Sequence, residues 1–108
     1  MRRLVLSGHA VRELHWHANA HELGYCTRGQ ALVTTVGNHG SREVFLISAG
    51  EMFFFPSGTV HAIENIGSCT LHILIFFSQV TPLDIGYRAT AAAYSCEVIA
   101  AELGSTTR

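Results

Sequence analysis

Short apolar runs, rich in β-branched and aromatic residues and broken at close intervals by polar turn residues, dominate the chain from residue 2 to 77. They predict strands over 11–17, 23–27, 31–36, 43–47, 52–55, 59–66 and 70–77. Gly37-Asn38-His39-Gly40 reads as a hairpin connection and Ala49-Gly50-Glu51 as a second turn, while Pro56-Ser57-Gly58 ends a strand. Many short strands at this spacing argue for an all-β sandwich or barrel. The pattern changes after Pro82: residues 89–103 are alanine-rich, and Gly104 stands where a helix C-cap would fall. One or two short helices are therefore expected to lie across the barrel. Residues 1–83 form the barrel in this reading, and 84–108 a tail of the same domain.

With 108 residues and no internal repeat, the chain has the length of one domain. A hydrophobic share of 48% and a mean hydropathy of +0.27 are high for a soluble monomer. The excess is read as barrel lining plus a buried subunit contact, so a homodimer is expected. Net charge is −1, and all seven basic residues are arginines scattered along the chain. No basic stripe argues for nucleic acid or an anionic membrane surface. The run Leu4-Val5-Leu6 after Arg2-Arg3 is too short for a signal peptide and is interrupted by Ser7, Gly8 and His9. The apolar run 73–77 has a strand's length and cannot span a bilayer. Cys26, Cys69 and Cys96 are odd in number and lack C-x-x-C spacing, which suits reduced thiols in a cytoplasmic protein.

The candidate chemistry lies in two segments. His15-Trp16-His17 is followed after four residues by Glu22, and Pro56-Ser57-Gly58 is followed after two by His61. Side chains at i and i+2 of a strand share a face, so His15 and His17 can grip one ion and Trp16 points away from it. His21 stands beside Glu22 and falls on the opposite face. Three imidazoles and one carboxylate leave two positions open in an octahedral shell, and N/O ligation without thiolate suits Mn(II), Fe(II), Co(II) or Ni(II). A tetrahedral zinc site could use the same four residues. Tyr25, Phe53, Phe54, Phe55 and Ile75 are candidates for a dry pocket wall. Asn65 is expected to tie a turn through its side chain. Arg12 lies three residues before His15, an odd offset that faces outward unless the strand bulges.

The run His15-x-His17-(x4)-Glu22-(x6)-Gly29 resembles the first cupin motif, and Gly50-(x5)-Pro56-x-Gly58-(x2)-His61-(x3)-Asn65 the second. The glycine expected six residues before the first ligand is replaced by His9, with Gly8 one place early. Arg12-Glu13-Leu14-His15-Trp16-His17 and Phe54-Phe55-Pro56-Ser57-Gly58 resemble more narrowly the oxalate decarboxylase branch, as does Asp84-Ile85-Gly86-Tyr87. The resemblance implies a small cupin β-barrel, a double-stranded β-helix or jelly roll. It further implies one divalent ion, Mn2+ before Fe2+, Ni2+, Co2+ or Zn2+, on His15, His17, Glu22 and His61. Arg12 would be the catalytic partner that contacts the substrate carboxylate. The implied activity is cleavage of oxalate or a related small carboxylate to formate and carbon dioxide. Oxalate decarboxylases carry a lid glutamate after the last core strand; here residues 78–84 offer only Asp84. Two alternatives therefore stay open: another metal-dependent cupin oxidase or dioxygenase, and a non-catalytic cupin that binds a small ligand.

Overall fold

The computed structural model describes residues 1–86. Nine strands are found among them: β1 (Arg2–Leu6), β2 (Val11–Trp16), β3 (Glu22–Arg28), β4 (Gln30–Val36), β5 (Arg42–Ser48), β6 (Met52–Phe55), β7 (Val60–Asn65), β8 (Leu71–Phe77) and β9 (Ile85–Gly86). They form a four-stranded sheet in the order β1-β8-β3-β6 and a five-stranded sheet in the order β5-β4-β7-β2-β9, with antiparallel pairing throughout. Every connection crosses from one sheet to the other except the β4–β5 hairpin. That alternation is the jelly-roll winding that the resemblance to cupins implies.

The alternating burial of β3 and β8 shows why the strands form. Inward residues Cys26, Ala31, Val33, Phe53, Ile63, Leu71 and Ile73 close the space between the sheets as one core cluster. Gly24 lies under the Phe53 ring; a Cβ there would come within 2.0 Å of Phe53 Cζ. The small residue makes room for the large one across the β3–β6 pair, where the two are in register.

The strand registers place Arg2, His15, Glu22, Phe55, His61 and Phe77 at one end of the barrel. Leu6, Cys26, Ala31, Asn65 and Leu71 fall at the other. Buried Asn65 closes that far end. Its Nδ2 donates to the carbonyls of Leu6 (3.0 Å), Ser7 (3.1 Å) and Cys69 (2.8 Å), and its Oδ1 accepts from the Gly67 amide (3.0 Å). This is the turn-tying role read from the sequence.

His9 holds φ +61° in the turn from Ser7 to Ala10. Thus the residue in place of the expected glycine still adopts the left-handed conformation that glycine holds without strain. Gly8 cannot be exchanged for it, because a Cβ at Gly8 would meet the Ser68 carbonyl oxygen at 2.5 Å.

Two strands differ from the sequence reading. Arg2–Leu6, with its two arginines, is a full edge strand on β8. Ile85–Gly86 pairs with His15 and Trp16 of β2, so the sheet extends past residue 83 into the segment assigned to the tail. The helices expected over 89–103, and Cys96, lie outside the described residues. No helix among the described residues is long and apolar enough to cross a membrane.

Candidate metal centre

His15 of β2 and His61 of β7 face each other in register, which places two imidazoles side by side on the inner face of one sheet. Their ring centroids are 4.2 Å apart. The turn after β2 carries His17, and β3 opens with Glu22 from the facing sheet. The turn that delivers His61 is held to the same place, because the Gly58 amide donates to the His17 carbonyl at 2.9 Å. Gly58 has φ +80°, a left-handed conformation that suits glycine. All four side chains are buried, and one ligand atom from each lies within 4.8 Å of every other.

Backbone carbonyls orient all three rings. Nδ1 is 2.7 Å from the Glu13 oxygen in His15, 2.8 Å from the Leu83 oxygen in His17, and 2.9 Å from the Thr59 oxygen in His61. A carbonyl only accepts, so each Nδ1 carries the proton and donates, and in the neutral ring the Nε2 lone pair is left for the interior. Glu22 Oε1 lies 3.1 Å from His17 Nε2 and 3.4 Å from His61 Nε2. With neutral rings these are contacts between acceptors, and among the described residues Glu22 Oε1 and His61 Nε2 have no hydrogen-bond partner. Buried acceptors in that position cost free energy unless a cation lies among them. The donor set, its tautomers and its orphaned atoms therefore fit one divalent ion.

Burial drives the His15 pKa down from 6.5 to about 4, against the opposing effect of its bond to the Glu13 carbonyl; His61 and Arg12 add to the lowering. His15 is thus neutral, ready to donate a lone pair, across the physiological range.

A cavity of about 170 Å³ opens onto His15, His17 and Glu22, with Ile63, Ile75 and Phe77 as its apolar wall. Phe55 stacks on His61 at 4.0 Å and backs the ring from the core. Phe77 meets His17 edge-on at 4.7 Å. A larger hollow of about 790 Å³, between the β4–β5 hairpin and residues 57–60, shares no residue with the cluster.

Arg12 also lines the cavity. The β2–β7 register slips by one residue between Arg12, opposite Ile63, and His15, opposite His61. This bulge cancels the odd offset and turns Arg12 to the ligand side. Its Nη2 bonds Asp84 Oδ2 at 2.5 Å, with the two side chains 35% and 43% exposed. Residues 78–86 cross the mouth of the barrel as a strap. The Ser78 amide donates to the His21 carbonyl (3.1 Å), Asn19 Nδ2 to the Thr81 carbonyl (3.2 Å), and the Leu83 amide to Asn19 Oδ1 (2.7 Å).

Of the five pocket candidates, Ile75 lines the cavity, Phe55 lies behind His61, and Tyr25 faces outward. Tyr25 stands three residues from Glu22 in an unbroken stretch of β3, so strand parity turns it outward. Phe54 is likewise on the outer face and Phe53 is in the core. His21 points away from the cluster, and its Nδ1 accepts the Ser57 amide proton at 2.9 Å. Cys26 is buried in the core, which raises its thiol pKa, and takes no part in the site. Phe77 and the Asp84 contact were missed. Period two from Ile75 would have found Phe77; the Asp84 contact depends on the path of the strap.

The family model described as "Cupin" matches residues 1–103. Oxalate decarboxylase OxdC of Bacillus subtilis is 40% identical over 70 residues, covering 65% of this chain and 18% of that protein. Oxalate oxidase GF-3.8 of Triticum aestivum is 28% identical over 85 residues, covering 76% of this chain and 38% of that protein. A solved structure of a B. subtilis OxdC variant superposes with a TM-score of 0.81 at 30% identity, covering 94% of this chain and 27% of the larger one. The chain thus spans well under half the length of these relatives, and what it shares with them is one barrel and its motifs. It belongs to the cupin family.

Proposed function

We propose that His15, His17, Glu22 and His61 bind one divalent ion, manganese before iron, nickel, cobalt or zinc, and that the cavity takes oxalate or a related small carboxylate. The observation that carries this reading is the convergence of four buried lone-pair donors, two with orphaned atoms, beside the guanidinium of Arg12. Manganese is favoured by the N/O donor set and by the Mn(II) centres named for B. subtilis oxalate decarboxylase, whose structure matches at 32% identity and a TM-score of 0.76. When bound, such an ion polarises a coordinated carboxylate and supplies one-electron chemistry.

The chain's own residues supply the rest. Arg12 offers a planar fork to a carboxylate oxygen pair. Ile63, Ile75 and Phe77 give the cavity an apolar wall beside that contact. Cleavage of oxalate to formate and carbon dioxide consumes one proton, and Asp84 is the only carboxylate on the strap that could hold one. Because the strap has no glutamate and Asp84 is already paired, an oxidase or dioxygenase, or a binding cupin without turnover, is the second reading.

An outward row of Leu23, Tyr25, Met52, Phe54 and Phe76 on the four-stranded sheet supports a homodimer. The thiols of Cys26 and Cys69, free in the structure, support a cytoplasmic setting.

The test is metal analysis followed by oxalate titration, with formate and peroxide measured separately. Arg12→Ala should keep the metal and lose about tenfold in oxalate affinity, the low end for a charge-assisted bond because the side chain is partly exposed. Arg12→Lys should fall between. A His15→Ala/His17→Ala protein that retains stoichiometric manganese would sink the ligand assignment.

A further inference from the structure

Arg12 is the group proposed to hold a substrate carboxylate, yet in the structure a carboxylate of the chain itself already bonds it. Among the described residues, Asp84 and Glu22 are the two acids that line the cavity, and Glu22 belongs to the ligand cluster. Asp84 is set in place from both sides. The residue before it, Leu83, has its amide on Asn19 Oδ1 and its carbonyl on His17 Nδ1; the residues after it, Ile85 and Gly86, pair with β2. With the backbone pinned at both neighbours, the Arg12–Asp84 contact is free to break only by rotation of side chains. Both of these reach solvent at the rim and can do so without disturbing the core.

We propose that Asp84 is a specificity-determining gate, an internal competitor that a ligand must displace from Arg12, and that it selects dicarboxylates by doing so. The inference rests on the carboxylate reading above. A monocarboxylate satisfied by the ion alone leaves the Arg12–Asp84 pair closed and neither gains nor loses from it. A dicarboxylate has a second anionic end that needs Arg12, and it must replace Asp84 to get it. Once a dianion has been consumed, Asp84 recaptures Arg12, and a one-carbon product keeps no hold on the rim.

The test compares oxalate and formate binding by calorimetry to the manganese-loaded parent, Asp84→Asn, Asp84→Ala and Asp84→Glu, with manganese content measured for each. Removing the competing charge should tighten oxalate by about fivefold, the equivalent of a partly exposed ion pair, and leave formate unchanged. Asp84→Glu keeps the charge and should keep the parent's preference. Asparagine and alanine reach the same end by different shapes, so failure of one to fold leaves the other to decide. Oxalate binding that is unchanged or weaker in the variant that folds overturns the gate, as does equal tightening of oxalate and formate. A parent blind to oxalate beside an Asp84→Asn protein that binds it would show a gate closed more firmly than proposed. If no metal-loaded form binds oxalate, the carboxylate reading falls and the gate with it; loss of metal itself would instead overturn the ligand assignment.

Discussion

Replacing Glu22 by glutamine should make the metal-free protein more stable and end metal binding at the same time. Without an ion, Glu22 Oε1 lies 3.1 Å from His17 Nε2 and 3.4 Å from His61 Nε2, and neither Glu22 Oε1 nor His61 Nε2 has a hydrogen-bond partner among the described residues. A glutamine nitrogen at that position carries two hydrogens and has two acceptors in reach. The substitution thus supplies a donor to both rings. A buried unsatisfied polar group costs about 1–3 kcal/mol, so relief of the cluster is worth about 2 kcal/mol. For a domain of this length that raises Tm by roughly 8 °C. The ion acts in the opposite direction: at a hundredfold excess over Kd it stabilises the parent by about 2.7 kcal/mol, whereas the amide removes one anionic ligand and fills its place with donors. Thermal melts in chelator and in manganese, read by circular dichroism, give both quantities. A Glu22→Gln protein that melts below the parent in chelator, or that gains as much as the parent from manganese, would refute the acceptor-cluster account.

Asn65→Ala strips the far end of its donor and leaves the Leu6, Ser7 and Cys69 carbonyls short of a partner. Urea unfolding should show a loss of about 3 kcal/mol with the metal affinity of the folded protein little changed. Gly24→Ala should cost about 2–3 kcal/mol by overpacking, since its Cβ would collide with the Phe53 ring, and Phe53→Leu in the same chain should recover part of it. In chelator, stability should depend on pH through His15. Its folded pKa of about 4 lies below the unfolded 6.5, so between those values the unfolded chain binds the extra proton. The contribution is complete above pH 6.5 and lost as pH falls to 4, roughly 3 kcal/mol in all. A His15→Gln protein should show a flatter profile over that window, and an unchanged slope would contradict the assignment.

The residues of the centre were legible before the fold because metal ligation constrains both residue type and spacing. His15 and His17 use the period of a strand, and the turn that brings His61 back to them is marked by Pro56 and Gly58; four residues, 18–21, separate His17 from Glu22. Strand parity placed Trp16 and His21 on the correct side for the same reason. It was not enough for Arg12, because a bulge of one residue leaves no mark in sequence yet reverses every orientation beyond it. Tyr25 is the converse case: β3 runs regularly past it, parity holds, and its aromatic ring faces out rather than into the pocket. The edge strands were the least visible. Arg2 and Arg3 hide β1 behind a charged start, and β9 is two residues long, defined by its partner rather than by its own composition.

The hydrogen bond from His17 Nδ1 to the Leu83 carbonyl makes the strap part of the ligand set, although no strap atom belongs to the cluster itself. His15 and His61 take their orienting carbonyls from two residues upstream on their own chain segment; His17 takes its from 66 residues away. If the strap lifts, His17 alone loses the acceptor that fixes its tautomer and its basicity. Coupling free energy is reciprocal, so whatever the docked strap adds to ion affinity the ion must return as strap affinity. Occupancy of the site by an ion would thereby be coupled to order at the rim. A change in the strap's surroundings would reach an ion held there through the His17 ring and through the β9 pairing with His15.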